Sequence, residues 1–127
     1  MIQIYLHILP SKNRGKGVFT SEDIKSGTVL EISPVLIMEA ADRIHLDKTR
    51  LHDYIFEWGE AGKQVCMALG YVPIYNHAYV SNCTYEMDYE SDSIKIIAVQ
   101  DILKGEELFI NYNGAWNDDT PIWFDVS

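Results

Sequence analysis

Apolar and polar residues alternate along most of the chain, and this period of two predicts a protein built mainly from β-strands. Residues 2–8 give the first predicted strand, and residues 10–17 follow as a loop of turn residues with two glycines. Residues 17–32 predict two more strands, separated by a polar Lys-Ser-Gly turn. Pro34 interrupts the second of these before residues 35–39 resume the extended pattern.

A helical period replaces the alternation between residues 40 and 59 and predicts a helix there. Asp47 can cap a helix that begins at Lys48, and Gly59 is a suitable stop. The face expected to pack on the sheet consists of Leu51, Tyr54, Ile55 and Trp58.

Alternation returns over residues 84–99, which predict a β-hairpin. The first strand carries acidic residues on one face, and the second, IKIIAV, is apolar enough to be buried. The acidic face is either a solvated surface or the rim of a site for a basic peptide. Its members are Glu86, Asp88, Glu90 and Asp92, which alternate with Tyr85, Met87 and Tyr89.

The length of 127 residues corresponds to a single domain, which we expect to span residues 1–127. The formal net charge of −9 disfavours nucleic acid as a partner, because phosphates attract a basic surface. The same charge favours a basic partner by electrostatic steering, and it also serves plain solubility. No apolar run reaches the roughly 18 residues that cross a bilayer, and no secretory signal is evident. We therefore expect no membrane partner and a cytoplasmic location, or a nuclear one in a eukaryote.

The cysteines and histidines do not form a metal-binding pattern. Cys66 and Cys83 stand 17 positions apart without a CxxC pair, and the four histidines are scattered. We expect no metal and two free or buried thiols, as is usual in a reducing compartment.

Three separated segments carry the residues that suggest chemistry. The first is RGKGVF at positions 14–19, where two glycines let the backbone approach a ligand closely. The second is YNHAYVSNC at positions 75–83, in which Asn76 and His77 are costly to bury without partners. The third is KGEELFINY at positions 104–112. Each segment alone is a weak signal, and their order is the informative feature.

This order resembles that of the SET-domain protein lysine methyltransferases. In that family the first segment opens with RGxG, and the other two typically read NHSCxPN and GEELxxDY. The strand GTVLEI at positions 27–32 is also similar to the family's second strand, which ends in Glu. The resemblance covers roughly residues 2–116. It implies a mostly β SET-domain (β-clip) fold of small curved sheets, with a pseudo-knot and one short helical insert.

The resemblance further implies an enzyme that uses S-adenosylmethionine to methylate a lysine side-chain amine of a protein and releases S-adenosylhomocysteine. Tyr112 is then the catalytic tyrosine, with its hydroxyl near the transferred methyl and the lysine nitrogen. The implied cofactor-binding residues are Arg14, Gly15, Lys16, Gly17, Asn76, His77, Tyr112 and Trp116. The substrate channel is expected to be formed by Tyr71, Tyr75, Tyr79, Ile110 and Trp123.

Two expectations concern what larger family members have and this chain lacks. Cysteine-rich segments flank many members, whereas here residues 113–127 are expected to form an aromatic lid with Trp116, Trp123 and Phe124. Ile110 stands where many relatives have Phe or Tyr. Since isoleucine cannot donate a hydrogen bond and is smaller than tyrosine, the resemblance leads us to expect that more than one methyl can be added.

Four positions depart from the family pattern and keep alternatives open. Ala78, Tyr79, Ser81 and Asn111 replace Ser, Cys, Pro and Asp. These changes favour the alternative of a catalytically inactive SET-like module that binds cofactor or a basic peptide. A third hypothesis is an unrelated β-rich binding domain in which the order of the motifs is accidental. For the single residues, the alternatives are a hydrogen-bonded core histidine at His77 and a buried core tyrosine at Tyr112. For the enzyme, the expected partner is a lysine-containing protein or peptide, with histones among the candidates, and the expected state is a monomer or homodimer.

Overall fold

The computed structural model describes residues 1–12, 15–59, 62–114 and 117. Within these residues nine strands form two sheets, so the expectation of a mostly β fold is confirmed. Helical structure there is limited to α1 (Ala40–Leu46) and 3-10 helices at Arg50–Asp53 and Val72–Ile74. The strands are β1 (Leu6–Ser11), β2 (Gly15–Thr20), β3 (Val29–Met38), β4 (Phe56–Trp58), β5 (Gln64–Ala68), β6 (Asn76–His77), β7 (Cys83–Asp88), β8 (Ser93–Ala98) and β9 (Glu107–Ile110).

The first sheet has the strand order β1-β2-β9-β6. β1 and β2 form an antiparallel hairpin, and β9 pairs antiparallel with β2 and parallel with β6. The first strand begins at Leu6 rather than at Ile2, because Ile2 instead makes an isolated bridge to Glu31 of the second sheet. The hairpin also uses part of the expected loop, since β1 continues to Ser11 and β2 begins at Gly15.

The second sheet has the strand order β4-β5-β3-β8-β7. β7 and β8 form the hairpin predicted over residues 84–99, with Asp88 opposite Ser93. Glu86 and Asp88 are exposed on β7, as the alternation predicts, whereas Glu90 and Asp92 belong to the turn. The acidic strand face is therefore shorter than the sequence pattern suggests.

β3 runs straight through Pro34, which was expected to interrupt it. Proline lacks an N–H donor, but its carbonyl still accepts a hydrogen bond from the Leu69 N–H at 2.9 Å. A register shift in the pairing with β8 lies between Val29 and Glu31. The two predicted strands around Pro34 are thus one ten-residue strand.

The helix predicted over residues 40–59 is wrong for most of its length. α1 begins earlier because Glu39 and Asp42 form a capping box, and Asp47 ends this helix instead of starting another. Thr49 then caps the 3-10 helix at Arg50–Asp53. The face of Leu51, Tyr54, Ile55 and Trp58 does not form, because Trp58 pairs with Gln64 in the sheet as part of β4.

The hydrophobic core combines side chains from both sheets. Cys66 and Cys83 lie in it as free thiols, and burial raises the pKa of both, to about 11 for Cys66. Across the described ranges, no helix is long and apolar enough to span a membrane. The core residues without solvent exposure include Val18, Leu30, Val72, Tyr75, Ile94, Ile96, Leu108 and Ile110.

Candidate active site

The three segments singled out in the sequence meet in the first sheet. The side-chain amide of Asn76 donates to the Lys16 carbonyl at 3.1 Å and to Glu107 Oε2 at 2.7 Å. Ser11 donates to the other oxygen of Glu107 at 2.6 Å. One asparagine therefore joins the glycine segment, the Asn-His segment and the Gly-Glu-Glu-Leu segment.

Gly17 is required by close packing rather than by an unusual backbone angle. A Cβ atom at this position would meet the Glu107 carboxylate and would lie 2.9 Å from Asn76 Nδ2. Gly15 differs, because its φ of +71° is unfavourable for other residues while the space around it is open. In β2, Gly17 thus permits close packing against Glu107 and Asn76, and Gly15 permits a positive φ.

The polar side chains of the second segment are satisfied by the backbone of the third. Asn82 donates to the Glu107 carbonyl at 2.9 Å and accepts from the Phe109 N–H at 2.8 Å, as a neighbouring strand would do. His77 Nδ1 accepts from the Tyr112 N–H at 2.9 Å. These contacts give the buried side chains of Asn82 and His77 polar partners and bind the second and third segments together.

Three of the departures from the family pattern form specific contacts. The Asn111 amide donates to the Tyr79 carbonyl at 2.9 Å, a bond that an aspartate could not donate. The Tyr79 ring meets the His77 ring edge-on, with centroids 4.5 Å apart. Ser81 donates to the Cys83 carbonyl at 2.7 Å. The substituted residues therefore support the local backbone.

Tyr112 is held by its hydroxyl, its backbone and its ring. The hydroxyl donates to the Tyr75 carbonyl at 2.6 Å. The Tyr85 hydroxyl donates to the Tyr112 carbonyl at 3.2 Å. The Phe56 ring packs edge-on against two other rings: its centroid lies 5.3 Å from that of Tyr85 and 6.3 Å from that of Tyr112. Burial raises the pKa of Tyr85 to about 12, with a smaller effect from nearby negative groups, so Tyr85 remains a neutral donor.

Two cavities open on Tyr112 and share Asp53, Pro73 and Tyr112 in their walls. The cavity on the side of the glycine segment, which we call the glycine-side cavity, measures about 440 Å³. The second, which we call the aromatic cavity, measures about 410 Å³. The other residues of the glycine-side cavity are Gly15, Lys16, Tyr54, Ile74 and Asn76. Those of the aromatic cavity are Arg43, His52, Ile55, Phe56, Glu57, Val65, Tyr85, Met87 and Asn113.

The structure brings together some of the expected site residues and separates others. Gly15, Lys16, Asn76 and Tyr112 line the glycine-side cavity, while Gly17 and His77 fix the strands beside it. The described residues Tyr71, Tyr75, Tyr79 and Ile110 line neither cavity. Tyr75 and Ile110 have no exposed surface, because they lie in the core. The expected residues Arg14, Trp116, Trp123 and Phe124 lie outside the described residues.

Sequence reasoning missed Phe56, Tyr85 and Asp53. Phe56 fell within the helix predicted over residues 40–59, where its neighbours in space could not be inferred. Tyr85 was recognised as part of the hairpin, and its position opposite the acidic face was the available signal that it points inward. Asp53 gave no signal, since its position between the cavities depends on the 3-10 helix Arg50–Asp53.

The SET domain family model matches residues 15–113 of the chain. A Schizosaccharomyces pombe relative, named a histone-lysine N-methyltransferase specific for lysine 37 of H3, is 34% identical over 121 residues. That alignment covers 94% of this chain and 81% of the relative. The crystal structure of a Plasmodium falciparum protein assigned as a histone methyltransferase is similar, with a TM-score of 0.64 and 28% identity. It covers 91% of this chain and 98% of that one.

Structures of Polycomb Repressive Complex 2 from Chaetomium thermophilum share the fold. One of them, bound to S-adenosylmethionine in an autoinhibited conformation, has a TM-score of 0.71 at 23% identity. It covers 84% of this chain and 15% of the much longer complex chain. The family match over most of the described residues, together with the joined motifs around Tyr112, establishes that this chain belongs to the SET-domain family of protein lysine methyltransferases.

Proposed function

We propose that the protein transfers a methyl group from S-adenosylmethionine to a lysine amine of a basic protein segment, with Tyr112 at the point of transfer. The observation that carries this proposal is that Tyr112 lies in the wall of two cavities at once. A displacement at a methyl group needs the donor on one side and the acceptor on the other, in line. Two cavities that meet at one hydroxyl-bearing side chain suit that requirement.

The residues of the glycine-side cavity fit the proposed cofactor. S-adenosylmethionine, when bound, supplies a methyl group activated by a positively charged sulfur. The volume of the glycine-side cavity, about 440 Å³, lies within the usual range of about 300–1,000 Å³ for small-molecule sites. Tyr54, Ile74 and Pro73 offer apolar surface, and Asp53 and Asn76 offer polar groups. Gly17 contributes indirectly, because the absence of a Cβ leaves room for the Glu107 carboxylate and for the amide of Asn76, which lines this cavity.

The aromatic cavity suits a lysine side chain. Phe56, Tyr85 and Tyr112 offer aromatic surface that attracts a cationic or methylated ammonium. The lysine must lose its proton before it reacts, and this costs roughly 4–5 kcal/mol at neutral pH for an ordinary lysine. Partial removal from water between these rings lowers that cost, because desolvation disfavours the charged form.

The hydrogen bond from Tyr112 to the Tyr75 carbonyl orients the proposed catalytic hydroxyl. The hydroxyl has one hydrogen, which it donates at 2.6 Å, so its oxygen lone pairs are directed away from that carbonyl. A fixed lone pair can accept weak hydrogen bonds from the methyl group or a hydrogen bond from the amine. Tyr112 would thus act by position and polarity.

A basic protein segment is the proposed substrate class. The net charge of −9 favours basic partners, and Asp53 and Glu57 lie in the wall of the aromatic cavity. The relatives named as histone methyltransferases, one of them specific for a lysine of H3, are consistent with a histone tail as one such segment. The number of methyl groups added and the lid of residues 113–127 stay predictions.

The proposal is tested by incubating the purified protein with S-adenosylmethionine labelled in its methyl group and with core histones, followed by identification of methyl-lysine. We expect labelled methyl-lysine. Asn76→Ala should mainly raise the KM for S-adenosylmethionine, and Phe56→Ala should mainly raise the KM for the protein substrate. Cofactor binding without methyl-lysine on histones or on proteins of a lysine-rich extract would instead support an inactive module.

A further inference from the structure

Glu31 is a buried carboxylate that the proposed reaction does not use. Its side chain has no exposed surface, and one of its oxygens, Oε1, has no hydrogen-bond partner among the described residues. A buried carboxylate with one unpaired oxygen costs stability. This cost suggests that the position serves something other than fold stability.

The second oxygen of Glu31 holds a segment that leads to Tyr112. Oε2 accepts from the Tyr71 N–H at 2.8 Å and the Val72 N–H at 3.2 Å, at the start of the 3-10 helix Val72–Ile74. Ser33 donates to the same oxygen at 2.6 Å. The chain approaches this pair so closely at Gly70 that a Cβ there would meet both side chains.

The far end of the same short helix carries the acceptor for the catalytic hydroxyl. Tyr75 follows the helix directly, and its carbonyl receives the Tyr112 hydroxyl at 2.6 Å. Because this helix has a single turn, a displacement at its start moves its end as well. The anchor at Glu31 and the Tyr75 carbonyl thus lie at the two ends of one short segment.

We infer that Glu31 is a positioning residue for the catalytic tyrosine: it fixes the helix Val72–Ile74 so that the Tyr75 carbonyl orients the Tyr112 hydroxyl. The inference rests on the proposed function, because it assigns Tyr112 its role in transfer. The carboxylate acts through two backbone N–H groups, so its charge is not essential to the effect. Glutamine, whose amide oxygen can accept the same two bonds, should replace it.

The first test compares Glu31→Ala, Glu31→Gln and Ser33→Ala by steady-state kinetics. We expect kcat of Glu31→Ala to fall about 10- to 100-fold with both KM values within about threefold, because misplacement by an ångström affects the reacting geometry. Glu31→Gln should keep kcat within about threefold of wild type. Ser33→Ala is the matched control, since it removes a bond to the same oxygen but leaves the backbone anchors, and it should keep kcat within about twofold.

A double-mutant cycle with Tyr112→Phe separates positioning from general loss of structure. If Glu31 acts through the Tyr112 hydroxyl, Glu31→Ala should lower kcat by less than about threefold once that hydroxyl is gone. An equal loss in both backgrounds, or a Glu31→Gln variant as impaired as Glu31→Ala, would overturn the inference. If Glu31→Ala does not fold, Glu31→Asp takes its place, because the shorter side chain withdraws the carboxylate from the two N–H groups.

A readout independent of transfer distinguishes failure of this inference from failure of the proposed function. The 13Cζ resonance of Tyr112 reports its hydroxyl hydrogen bond and is assigned by its loss in Tyr112→Phe. We expect it to move in Glu31→Ala and to stay in Glu31→Gln. If wild type transfers no methyl, the proposed function fails while this shift still decides the role of Glu31. An unmoved Tyr112 resonance in Glu31→Ala would overturn the inference even in an active enzyme.

Discussion

Single polar side chains in this protein replace backbone partners at the site. Asn82 pairs with both the N–H and the C=O of the third segment, and His77 accepts the N–H of Tyr112. Asn111 donates to the Tyr79 carbonyl. Each of these hydrogen bonds removes the cost of an unpaired buried group. A substitution that turns the donor into an acceptor should therefore lower the free energy of unfolding markedly.

Asn111→Asp restores the residue usual in the family and is expected to destabilise this protein. Asn111 is buried, and a carboxylate would place an acceptor against the Tyr79 carbonyl in place of a donor. We expect the free energy of unfolding to fall by about 1–3 kcal/mol in a urea titration. Gln100→Glu adds the same charge at an exposed position and should change stability by less than about 0.5 kcal/mol. Equal stability of Asn111→Asp and wild type would show that the amide bond to Tyr79 is not needed.

Because the pKa of Glu31 is raised by folding, we expect its contribution to stability to fall as the pH rises. Burial raises the pKa of its carboxyl, although bonds from Ser33, Tyr71 and Val72 and the N-terminal amino group oppose the rise. A carboxyl whose pKa is raised by folding binds its proton more tightly in the native state, so its contribution falls as pH rises from about 4.3 through the native pKa. Relative to wild type, Glu31→Gln should therefore gain stability as the pH rises above about 4.3.

Urea titrations at several pH values measure this difference. Glu90→Gln is the control, because that exposed side chain lies in the β7–β8 turn and its removal should leave the difference nearly constant. A constant difference for Glu31→Gln as well would mean that its carboxyl titrates alike in the folded and unfolded states.

At the scale of elements, the site depends on how tightly β2 lies against its neighbours. Gly17→Ala would push a Cβ into the Glu107 carboxylate and the Asn76 amide, which together join the three motif segments. We expect the affinity for S-adenosylmethionine to fall at least about tenfold, measured by calorimetry.

The matched control is Gly15→Ala, where nothing lies within 4 Å of the added atom and the cost is the strain of a φ of +71°. This variant should lose about 1 kcal/mol of stability and less affinity than Gly17→Ala. Wild-type affinity in Gly17→Ala would rule out the close approach as a requirement for binding.

The sequence predicted strands well where one face of the strand is exposed to solvent and the other is buried. The β7–β8 hairpin follows from that alternation, and the turn before β3 follows from the polar Lys-Ser-Gly sequence. It failed between residues 40 and 59, because the capping box at Glu39 and the pairing of Trp58 with Gln64 decide the structure there. Helical spacing of apolar residues cannot reveal a pairing with a strand that comes later in the chain.

At the scale of the whole molecule, the order of motifs predicted which segments meet but not what surrounds them. Asn76 and His77 pair with β9, and His77 accepts the N–H of Tyr112. Phe56 contacts the Tyr112 ring and Tyr85 donates to the Tyr112 carbonyl from opposite edges of the second sheet, and this depends on the whole strand order. The walls of the aromatic cavity therefore required the structure.

The reactivity of the two core thiols, Cys66 and Cys83, reports whether the hydrophobic core opens to solvent. Burial raises the pKa of Cys66 to about 11 and raises that of Cys83 as well, so little thiolate exists at pH 8 in the folded protein. We expect neither to react with iodoacetamide under native conditions within an hour and both to react in denaturant, as counted by mass spectrometry. Rapid alkylation of one cysteine in the native protein would show that its part of the core opens locally.

The central claim is that the Tyr112 hydroxyl serves methyl transfer, whereas its ring also lines the cofactor cavity. The most direct measurement compares wild type with Tyr112→Phe in a single turnover. Both proteins are saturated with labelled S-adenosylmethionine and mixed with the protein substrate, and the dissociation constant for the cofactor is measured alongside. The account predicts a transfer rate at least about 100-fold lower in Tyr112→Phe, with a cofactor dissociation constant within about threefold of wild type. A wild-type transfer rate without the Tyr112 hydroxyl would contradict it.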